Sequence, residues 1–294
     1  IGVQEKNGVV DIVAEDEADA TAIAKRLLSY FQGPSEQWES AEQISLRDSV
    51  PEDRRWGYPV RRIIETLVDT GSFTELRRVY GRPIITGFAR FEGKPVGLIA
   101  NDCQQLGGAV DAESAEKAGR FLQLCDAFEL PIVSLTDTPG FMVGPQSEEQ
   151  ASVRRMSSLF VTGASITVPL VAIFLRKGYG LGAMAMTGGS FVSPVYSASW
   201  PTGEFGGMGL EGAVRLGYKK ELEAVEDDKE REELFDKLVA RSYEHGKATE
   251  AAAHLEIDAV IDPADTRHVI IRALDSAPEP RPQHGKRRSF VDTW

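Results

Sequence analysis

Basic residues are outnumbered in this sequence, and that shortage excludes several kinds of partner. The 294 residues include 33 lysines and arginines against 45 aspartates and glutamates, for a formal net charge of −12 at pH 7. Because nucleic acids and anionic membrane surfaces attract basic proteins, we expect no nucleic acid and no membrane among the partners. Cysteine is also scarce. With only Cys103 and Cys125, no disulfide framework is expected.

Histidine is scarce as well, and its position limits the possible catalytic chemistry. The four histidines all follow residue 244: His245, His254, His268 and His284. A Ser-His-Asp or Cys-His arrangement would have to bring one of them back to the glycine-rich middle of the chain, and nothing in the sequence indicates this. No H-E-x-x-H, paired C-x-x-C or EF-hand spacing occurs, so we expect no metal site.

One stretch without charged residues has to be tested as a membrane span. Residues 156–175 contain no charge and are about long enough to cross a bilayer. Serines, threonines and Pro169 interrupt the run, however. We therefore predict a helix that ends near Gly163, a turn, and then the buried strand VPLVAIFL.

A glycine pattern near residue 210 has the form of a dinucleotide-binding motif. The sequence GMGLEG, residues 207–212, matches G-x-G-x-x-G. In a dinucleotide-binding fold a second strand with an acidic end would follow about 20 residues later. A highly charged helical run, KKELEAVEDDKEREELF, stands there instead, so we interpret the match as coincidental.

Strands and helices alternate through most of the chain, which predicts a layered α/β fold with largely buried strands. We expect a leading helix and connector over residues 1–59 and one large domain over residues 60–294. The predicted elements are a helix at 11–31, a connector at 33–59, two helices within 58–81, a hairpin at 83–102 that turns at 92–93, a helix at 111–130, a strand at 131–137, a helix at 147–163, a strand at 168–175, two charged helices within 219–246, a helix at 249–254, a strand at 257–262, a helix at 263–275 and a proline-rich tail.

Two strand–loop–helix units carry the strongest functional pattern. RKGYGLGAMAMTGG, residues 176–189, follows the strand VPLVAIFL, and TDTPGFMVGPQSEEQ, residues 136–150, follows the strand PIVSLTD. Glycine-rich loops that lead into helices present main-chain N–H groups to a ligand, although each unit alone is equally explained by a tight turn. A pocket with such donors and without histidine or metal suits the stabilisation of an oxyanion, with proton transfer left to a cofactor.

The segments TGFARFEGKPVGLIAND, SAEKAGRFLQLCDAFELPIVSLTDTPGFMVG, GYGLGAMAM and WPTGEFGGMGLEGAV together resemble a known family. The resemblance is to the carboxyltransferase (β) component of biotin-dependent acyl-CoA carboxylases, of the propionyl-CoA and broader acyl-CoA carboxylase type. It covers only the C-terminal half of that family, and Ile1 in place of methionine suggests a fragment or processed product. The resemblance implies a crotonase-like (ClpP/crotonase) fold, a layered β-β-α superhelix.

The resemblance also implies an activity and a site. The chain would transfer CO2 from carboxybiotin to the α-carbon of an acetyl-, propionyl- or longer acyl-CoA, with a biotin nitrogen taking the α-proton. The implied catalytic residues are Gly180, Leu181 and Gly182, with the N–H groups of Leu181 and Gly182 holding the biotin ureido oxygen. The residues implied to contact the cofactor are Gly140, Phe141, Gly144, Tyr179 and Met184, of which apolar Met184 leaves the acyl-chain preference open.

The implied partners are an N-terminal carboxyltransferase half, a biotin carboxyl carrier domain, a biotin carboxylase and further copies of the chain. A cytoplasmic location is expected, with the mitochondrial matrix not excluded. Three other functions stay open: a biotin-dependent acyl-CoA decarboxylase subunit with a sodium-pump membrane partner, a non-catalytic assembly domain, and a crotonase-type hydratase. A hydratase would need a positioned carboxylate pair, and the uncharged stretch from 178 to 203 has only Glu204 at its edge.

Overall fold

A computed structural model of the chain describes residues 1–278. His284 and the predicted proline-rich tail lie outside these residues. Within them, the strands are β1 Thr74–Leu76, β2 Ile84–Phe91, β3 Lys94–Asn101, β4 Ile132–Thr138, β5 Leu170–Tyr179, β6 Tyr196–Ser199, β7 Glu204–Gly206 and β8 Ala259–Val260.

Helices connect and flank these strands. Over residues 1–278 the α-helices are α1 Gly2–Lys6, α2 Glu17–Ser29, α3 Val60–Leu67, α4 Ala112–Ala127, α5 Pro145–Glu149, α6 Ser152–Gly163, α7 Gly180–Met186, α8 Leu210–Gly217, α9 Lys219–Glu223, α10 Asp228–His245, α11 Ala248–Ala253 and α12 Thr266–Asp275. Short 3-10 helices occur at Gln43–Asp48, Leu106–Gly108 and Pro263–Asp265.

The described strands form one sheet in the order β1-β2-β3-β4-β5-β6-β8, with β7 paired to the outer part of β5. The pairs among β1, β2 and β3 are antiparallel, and all others are parallel. The predicted hairpin is confirmed: β2 and β3 join through Glu92 and Gly93, which both have positive φ, as a two-residue hairpin turn of this kind requires.

The sheet is buried on both faces, as the near-continuous apolar runs of its central strands predict. Val133 and Leu135 of β4 belong to one core cluster, and their neighbour Ile132 belongs to the cluster on the opposite face. The same alternation occurs in β5, where Ile173 and Ala172 lie in different clusters. Because successive residues of a strand point to opposite faces, a sheet that is covered on both sides needs apolar residues at every position.

One sequence-based prediction of local structure is wrong, and another is too short. The second helix predicted within 58–81 is strand β1 over Thr74–Leu76, because edge pairing with β2 outweighs the helical pattern of charges. The strand predicted at 168–175 continues to Tyr179, so part of the predicted RKGYGLG loop is extended backbone. Glycine and charge at the end of β5 concealed this extension, which β7 supports by pairing from Lys177 to Tyr179.

Cys103 and Cys125 are both free and buried. Among the helices of residues 1–278, none combines the length and the apolar character that crossing a bilayer requires. Residues 156–175, tested above as a membrane span, instead contain the end of α6, a turn and the first half of β5.

Candidate functional site

The two glycine-rich units meet because β4 and β5 are parallel neighbours whose carboxyl ends lie at the same edge of the sheet. Their register is Thr136 opposite Phe174, but Thr138 opposite Gly178, so β5 carries a bulge of two extra residues. Such irregularities re-aim a strand and are frequent near functional sites. The N–H of Lys177, which lies in the bulge, donates to Oδ1 of Asp137 at 3.1 Å.

The turn after β4 is held by its own backbone and by a neighbouring loop. Gly140 has φ +113° and donates its N–H to Oγ1 of Thr138 at 3.1 Å. Its carbonyl accepts from the N–H of Val110 at 3.0 Å, and the N–H of Met142 donates to the carbonyl of Val110 at 2.8 Å. Phe141 lies between these two bonds, and its ring packs 5.9 Å from that of Phe160.

The turn after β5 is sharper, since α7 begins directly at Gly180. That residue has φ +58°, and a Cβ there would lie 2.7 Å from the carbonyl oxygen of Gly207. A Cβ on Gly182 would lie 2.5 to 2.7 Å from backbone atoms of Gly140 and Phe141. The two turns are therefore in direct backbone contact. Both glycines of α7 are required by the chain's own main chain, a reason that does not depend on a bound ligand.

Six of the eight residues implied by the resemblance are thus adjacent: Gly140, Phe141, Tyr179, Gly180, Leu181 and Gly182. The side chain of Leu181 points outward and is 62% exposed. Leu181 and Gly182 are among the first residues of α7, whose N–H groups have no partner within the helix. Gly144 precedes α5, with φ +122° and no atom of another segment within 4 Å of its Cβ position.

A cavity of about 310 Å³ opens beside this contact. Gly180, Met184, Phe191 and Phe205 supply apolar and backbone surface to it, and besides Glu250 and Glu256 two histidines line it. These are His245 and His254, whose Nδ1 atoms each lie 2.8 Å from the carbonyl of the residue four positions earlier. The sequence placed both histidines far from the glycines, but α10 and α11 bring them back to the cavity.

A fully buried ion pair lies beneath the first turn. Asp137, the penultimate residue of β4, has no exposed surface, and its Oδ2 lies 3.1 Å from a terminal nitrogen of Arg176. The Arg176 guanidinium in turn lies 5.0 Å from the centre of the Tyr58 ring. Burial, with the Asp137 charge as a smaller cause, raises the pKa of Tyr58 well above its usual value.

A second acid–arginine pair lies beneath the other turn. The Tyr179 hydroxyl donates to Oε2 of Glu204 at 2.8 Å, and Nε of Arg54 donates to Oε1 of the same carboxylate. Burial, and then the negative charge of Glu204, raises the pKa of Tyr179. Because both oxygens of Glu204 are engaged, this carboxylate is not free for the acid–base role that a hydratase would require.

Three supporting residues of this region were not predicted from the sequence: Asp137, Arg176 and Arg54. A usable indication was present: Arg176 and Lys177 end an otherwise apolar strand, and a charge at the end of a buried strand needs a partner. Arg54 and Glu204 are separated by 150 positions, and nothing in the sequence indicated that they pair. Within residues 1–278, no group of three or more histidines, cysteines, aspartates or glutamates is placed to hold a metal ion.

Comparison with known proteins identifies the family to which the chain is similar. Residues 2–288 match the family model described as carboxyl transferase domain. The methylmalonyl-CoA carboxyltransferase 12S subunit of Propionibacterium freudenreichii subsp. shermanii is 36% identical over 282 residues, which are 92% of this chain and 52% of that protein.

Solved structures agree in fold. A single-chain, multi-domain long-chain acyl-CoA carboxylase is 57% identical and superposes with a TM-score of 0.86, over 93% of this chain and 28% of that one. The transcarboxylase 12S hexamer crystal structure with methylmalonyl-CoA bound is 32% identical, with a TM-score of 0.84 over 97% of this chain and 57% of that one. The expected crotonase-like α/β fold is confirmed, and the chain spans about half the length of the 12S subunit.

Proposed function

The chain belongs to the carboxyl transferase domain family, and we propose that it is the C-terminal half of an acyl-CoA carboxyltransferase. The reaction transfers CO2 from carboxybiotin to the α-carbon of an acyl-CoA. One observation carries the proposal: the glycine turns after β4 and β5 touch through their backbones at an edge of the sheet. This arrangement presents main-chain donors at the start of α7.

In this proposal, the start of α7 holds the biotin ureido oxygen. The N–H groups of Leu181 and Gly182 would donate to that oxygen as negative charge develops on it, which is the action of an oxyanion hole. Bound carboxybiotin supplies CO2 and then a ring nitrogen that takes the α-proton of the acyl-CoA. No side chain of this half has to act as the base, consistent with the absence of charge from residues 178–203.

The remaining residues would shape the pocket. Gly140 fixes the position of α7 because its backbone meets Gly182, and Phe141 would form an apolar wall. Tyr179 would contribute through its position, because its hydroxyl is already bonded to Glu204. Gly144 leaves open space at the start of α5, so that a ligand would meet backbone there. Main-chain donors next to apolar side chains would fit the uncharged bicyclic ring of biotin.

The acyl preference is proposed from Met184 and from the relatives. Met184 is half-buried and lines the 310 Å³ cavity beside Gly180, where a flexible apolar side chain adapts to chains of different length. The solved structure with 57% identity is a long-chain acyl-CoA carboxylase. We therefore place long-chain acyl-CoA esters ahead of acetyl-CoA and propionyl-CoA among the substrates.

The partners proposed are those that complete the reaction. An N-terminal carboxyltransferase half would supply most of the CoA-binding surface and the hole for the acyl-CoA enolate. A carrier domain would deliver biotin, and a biotin carboxylase would charge it. The 12S relative crystallises as a hexamer, and we propose that this chain also works in a homo-oligomer.

A transcarboxylation assay tests the function. The intact two-half protein, or this chain with its N-terminal half, is mixed with biocytin and with malonyl-CoA, methylmalonyl-CoA or a long-chain α-carboxyacyl-CoA, and decarboxylation is followed. We expect turnover that depends on biocytin and is fastest with the long-chain ester. A folded, complete preparation that decarboxylates none of the three esters would exclude the proposed reaction.

The second candidate is a non-catalytic assembly domain. It is favoured by one observation, that the glycines of α7 are explained by contact with Gly140 and Gly207. This candidate would be selected if the complete protein formed its oligomer normally but showed no biocytin-dependent decarboxylation. A decarboxylase subunit would pass the assay too, and it is distinguished by its failure to carboxylate an acyl-CoA when biotin carboxylase and ATP are added.

A further inference from the structure

The segment Arg54–Tyr58, called here the strap, lies in the predicted connector but contacts the supports of both turns. It runs past the carboxyl ends of β4 and β5, where Tyr58 is buried and Gly57 packs 3.3 Å, measured from its Cβ position, from the carbonyl of Cys103. The N–H of Tyr58 is held by Sγ of Cys103 at 3.3 Å. The strap is therefore fixed to the body of the domain.

The first arm of the strap leads to the turn after β5. Arg54 donates to one oxygen of Glu204, and the other oxygen accepts from the hydroxyl of Tyr179. Tyr179 is the residue directly before Gly180. Glu204 also begins β7, which pairs with β5 from Lys177 to Tyr179. The side chain and the backbone of this short strand thus both act on the start of α7.

The second arm leads to the turn after β4. A terminal nitrogen of Arg176 donates to the carbonyl of Trp56 at 2.9 Å, while the other terminal nitrogen pairs with Asp137. Asp137 directly precedes the turn residues Thr138 to Gly140. The strap therefore reaches each turn through one arginine and one carboxylate.

The two arms differ in how their arginine is held. Arg176 is enclosed, but the side chain of Arg54 is 51% exposed and depends on a stacking contact. Its guanidinium carbon lies 3.7 Å from the centre of the Tyr243 ring, whose hydroxyl donates to Glu211 at 2.6 Å. A stacked guanidinium keeps its donors in one plane, so its bond to Glu204 has a defined direction.

We propose that Arg54 is a positioning residue of the carboxyltransferase site, acting through Glu204 and Tyr179 on the N–H groups of Leu181 and Gly182. The proposal rests on the proposed function. Without Arg54, the largely buried Glu204 keeps only the Tyr179 hydroxyl as a side-chain partner among the described residues. The Glu204 side chain would then shift, and the Tyr179 ring bonded to it would shift too. Donors of an oxyanion hole lose most of their effect when they move by about 1 Å.

The chain offers a matched control next to this residue. Arg55 has the same charge, but its side chain is 87% exposed and, within residues 1–278, bonds only to Asp53 two residues away. Arg54→Met and Arg55→Met therefore make the same change in composition, with and without the link to Glu204. Arg54→Lys keeps the charge and loses the planar group that stacks on Tyr243.

The test compares these variants in the complete two-half protein, with biocytin-dependent decarboxylation of malonyl-CoA as the assay. We expect Arg54→Met to lower kcat about tenfold, Arg54→Lys to lower it about threefold, and the KM for malonyl-CoA to stay constant. Arg55→Met should stay within twofold of the unaltered protein. A double variant with Tyr179→Phe should lose little more than Arg54→Met alone, because both changes break one chain of contacts.

Amide hydrogen exchange adds a readout that is independent of turnover. Peptides that cover residues 179–183 should exchange at least about tenfold faster in Arg54→Met than in Arg55→Met, since the positioning would be lost locally. Equal exchange and equal kcat in the two variants would overturn the positioning role while leaving the proposed function intact. An unaltered protein without biocytin-dependent turnover would instead overturn the proposed function, and the positioning role with it.

Discussion

The turns after β4 and β5 were similar in sequence but are supported in different ways. Around Gly140 the backbone is bonded to Thr138 and Val110, over an ion pair that is fully buried. Around Gly180 the support comes from β7 and from a carboxylate whose arginine is half-exposed. The first turn, called here the wall, is thus supported by buried contacts. The support of the second turn includes an arginine at the protein surface.

This difference indicates a division of roles within the site. The turn that carries the proposed donor groups, Leu181 and Gly182, is the one with the more accessible support. Local stability is set by burial and by bonds that are shielded from water, so the first turn should open less often than the second. The contact between Gly140 and Gly182 then limits how far the second turn can move.

The largest expected effect breaks the wall itself. Asp137→Asn would leave Arg176 buried without its counter-charge, which typically costs about 3–5 kcal/mol of unfolding free energy. Denaturant titration measures this loss of unfolding free energy. The control is Asp262→Asn, which alters the exposed pair with Arg47 and should cost far less, because exposed ion pairs contribute little to stability. Equal losses in the two variants would contradict the difference drawn between buried and exposed support.

The next effect separates the two turns from each other. In Gly182→Ala the new Cβ would meet Gly140 at 2.5 Å, so α7 has to shift and its donors move. We expect biocytin-dependent turnover to fall about 100-fold, the loss seen when one oxyanion-hole donor is removed. Gly217→Ala is the control, since that helical glycine has no atom within 4 Å of its Cβ position. Normal turnover in Gly182→Ala would show that the turns need not touch.

A smaller effect should come from the conformation of the first turn. Gly140 has φ +113°, so Gly140→Ala should cost about 1–3 kcal/mol of stability. Gly71→Ala carries a comparable constraint, φ +72° with open space, at a position between α3 and β1. Both variants should lower the melting temperature, but only Gly140→Ala should also raise the KM for biocytin. If Gly71→Ala raised that KM equally, the wall would have no special role.

The smallest effect concerns the side chain of Leu181. It is 62% exposed, and the proposed role belongs to its N–H, so Leu181→Ala should change kcat by at most about threefold. Leu181→Pro removes the N–H at a helical position where proline is tolerated, and turnover should then be lost. Steady-state kinetics of the pair decide the matter. A larger loss in the alanine variant than in the proline variant would assign the role to the side chain.

Much of this fold was available from local pattern. Apolar runs bounded by glycine and proline predicted β4, β5 and the hairpin, and the helix predicted at 111–130 is α4, which begins at a capping box of Asp111 and Ser114. Strand β1 was missed because three residues at a sheet edge have no periodicity to detect. Glu75 is its one charged residue, and the pairing with β2 makes it a strand.

The site was predicted in part for the same reason. Glycine spacing and family resemblance indicated Gly140, Gly180 and Gly182, whereas their supports come from distant parts of the chain. Arg54 and Glu204 are 150 residues apart and share no local pattern. Long-range pairing of this kind depends on topology, which a single sequence does not state.

The bulge between β4 and β5 has a consequence for variation in chain length. From the pair Thr136–Phe174 to the pair Thr138–Gly178, β4 advances two residues and β5 advances four. Removing one residue from 175–177 would move each of Gly178 and Tyr179 to the other face of the sheet, because the side chains of a strand alternate between its faces. The number of residues in this short stretch therefore determines which face each of them occupies. Proteins that keep this site should tolerate substitutions there but not insertions or deletions.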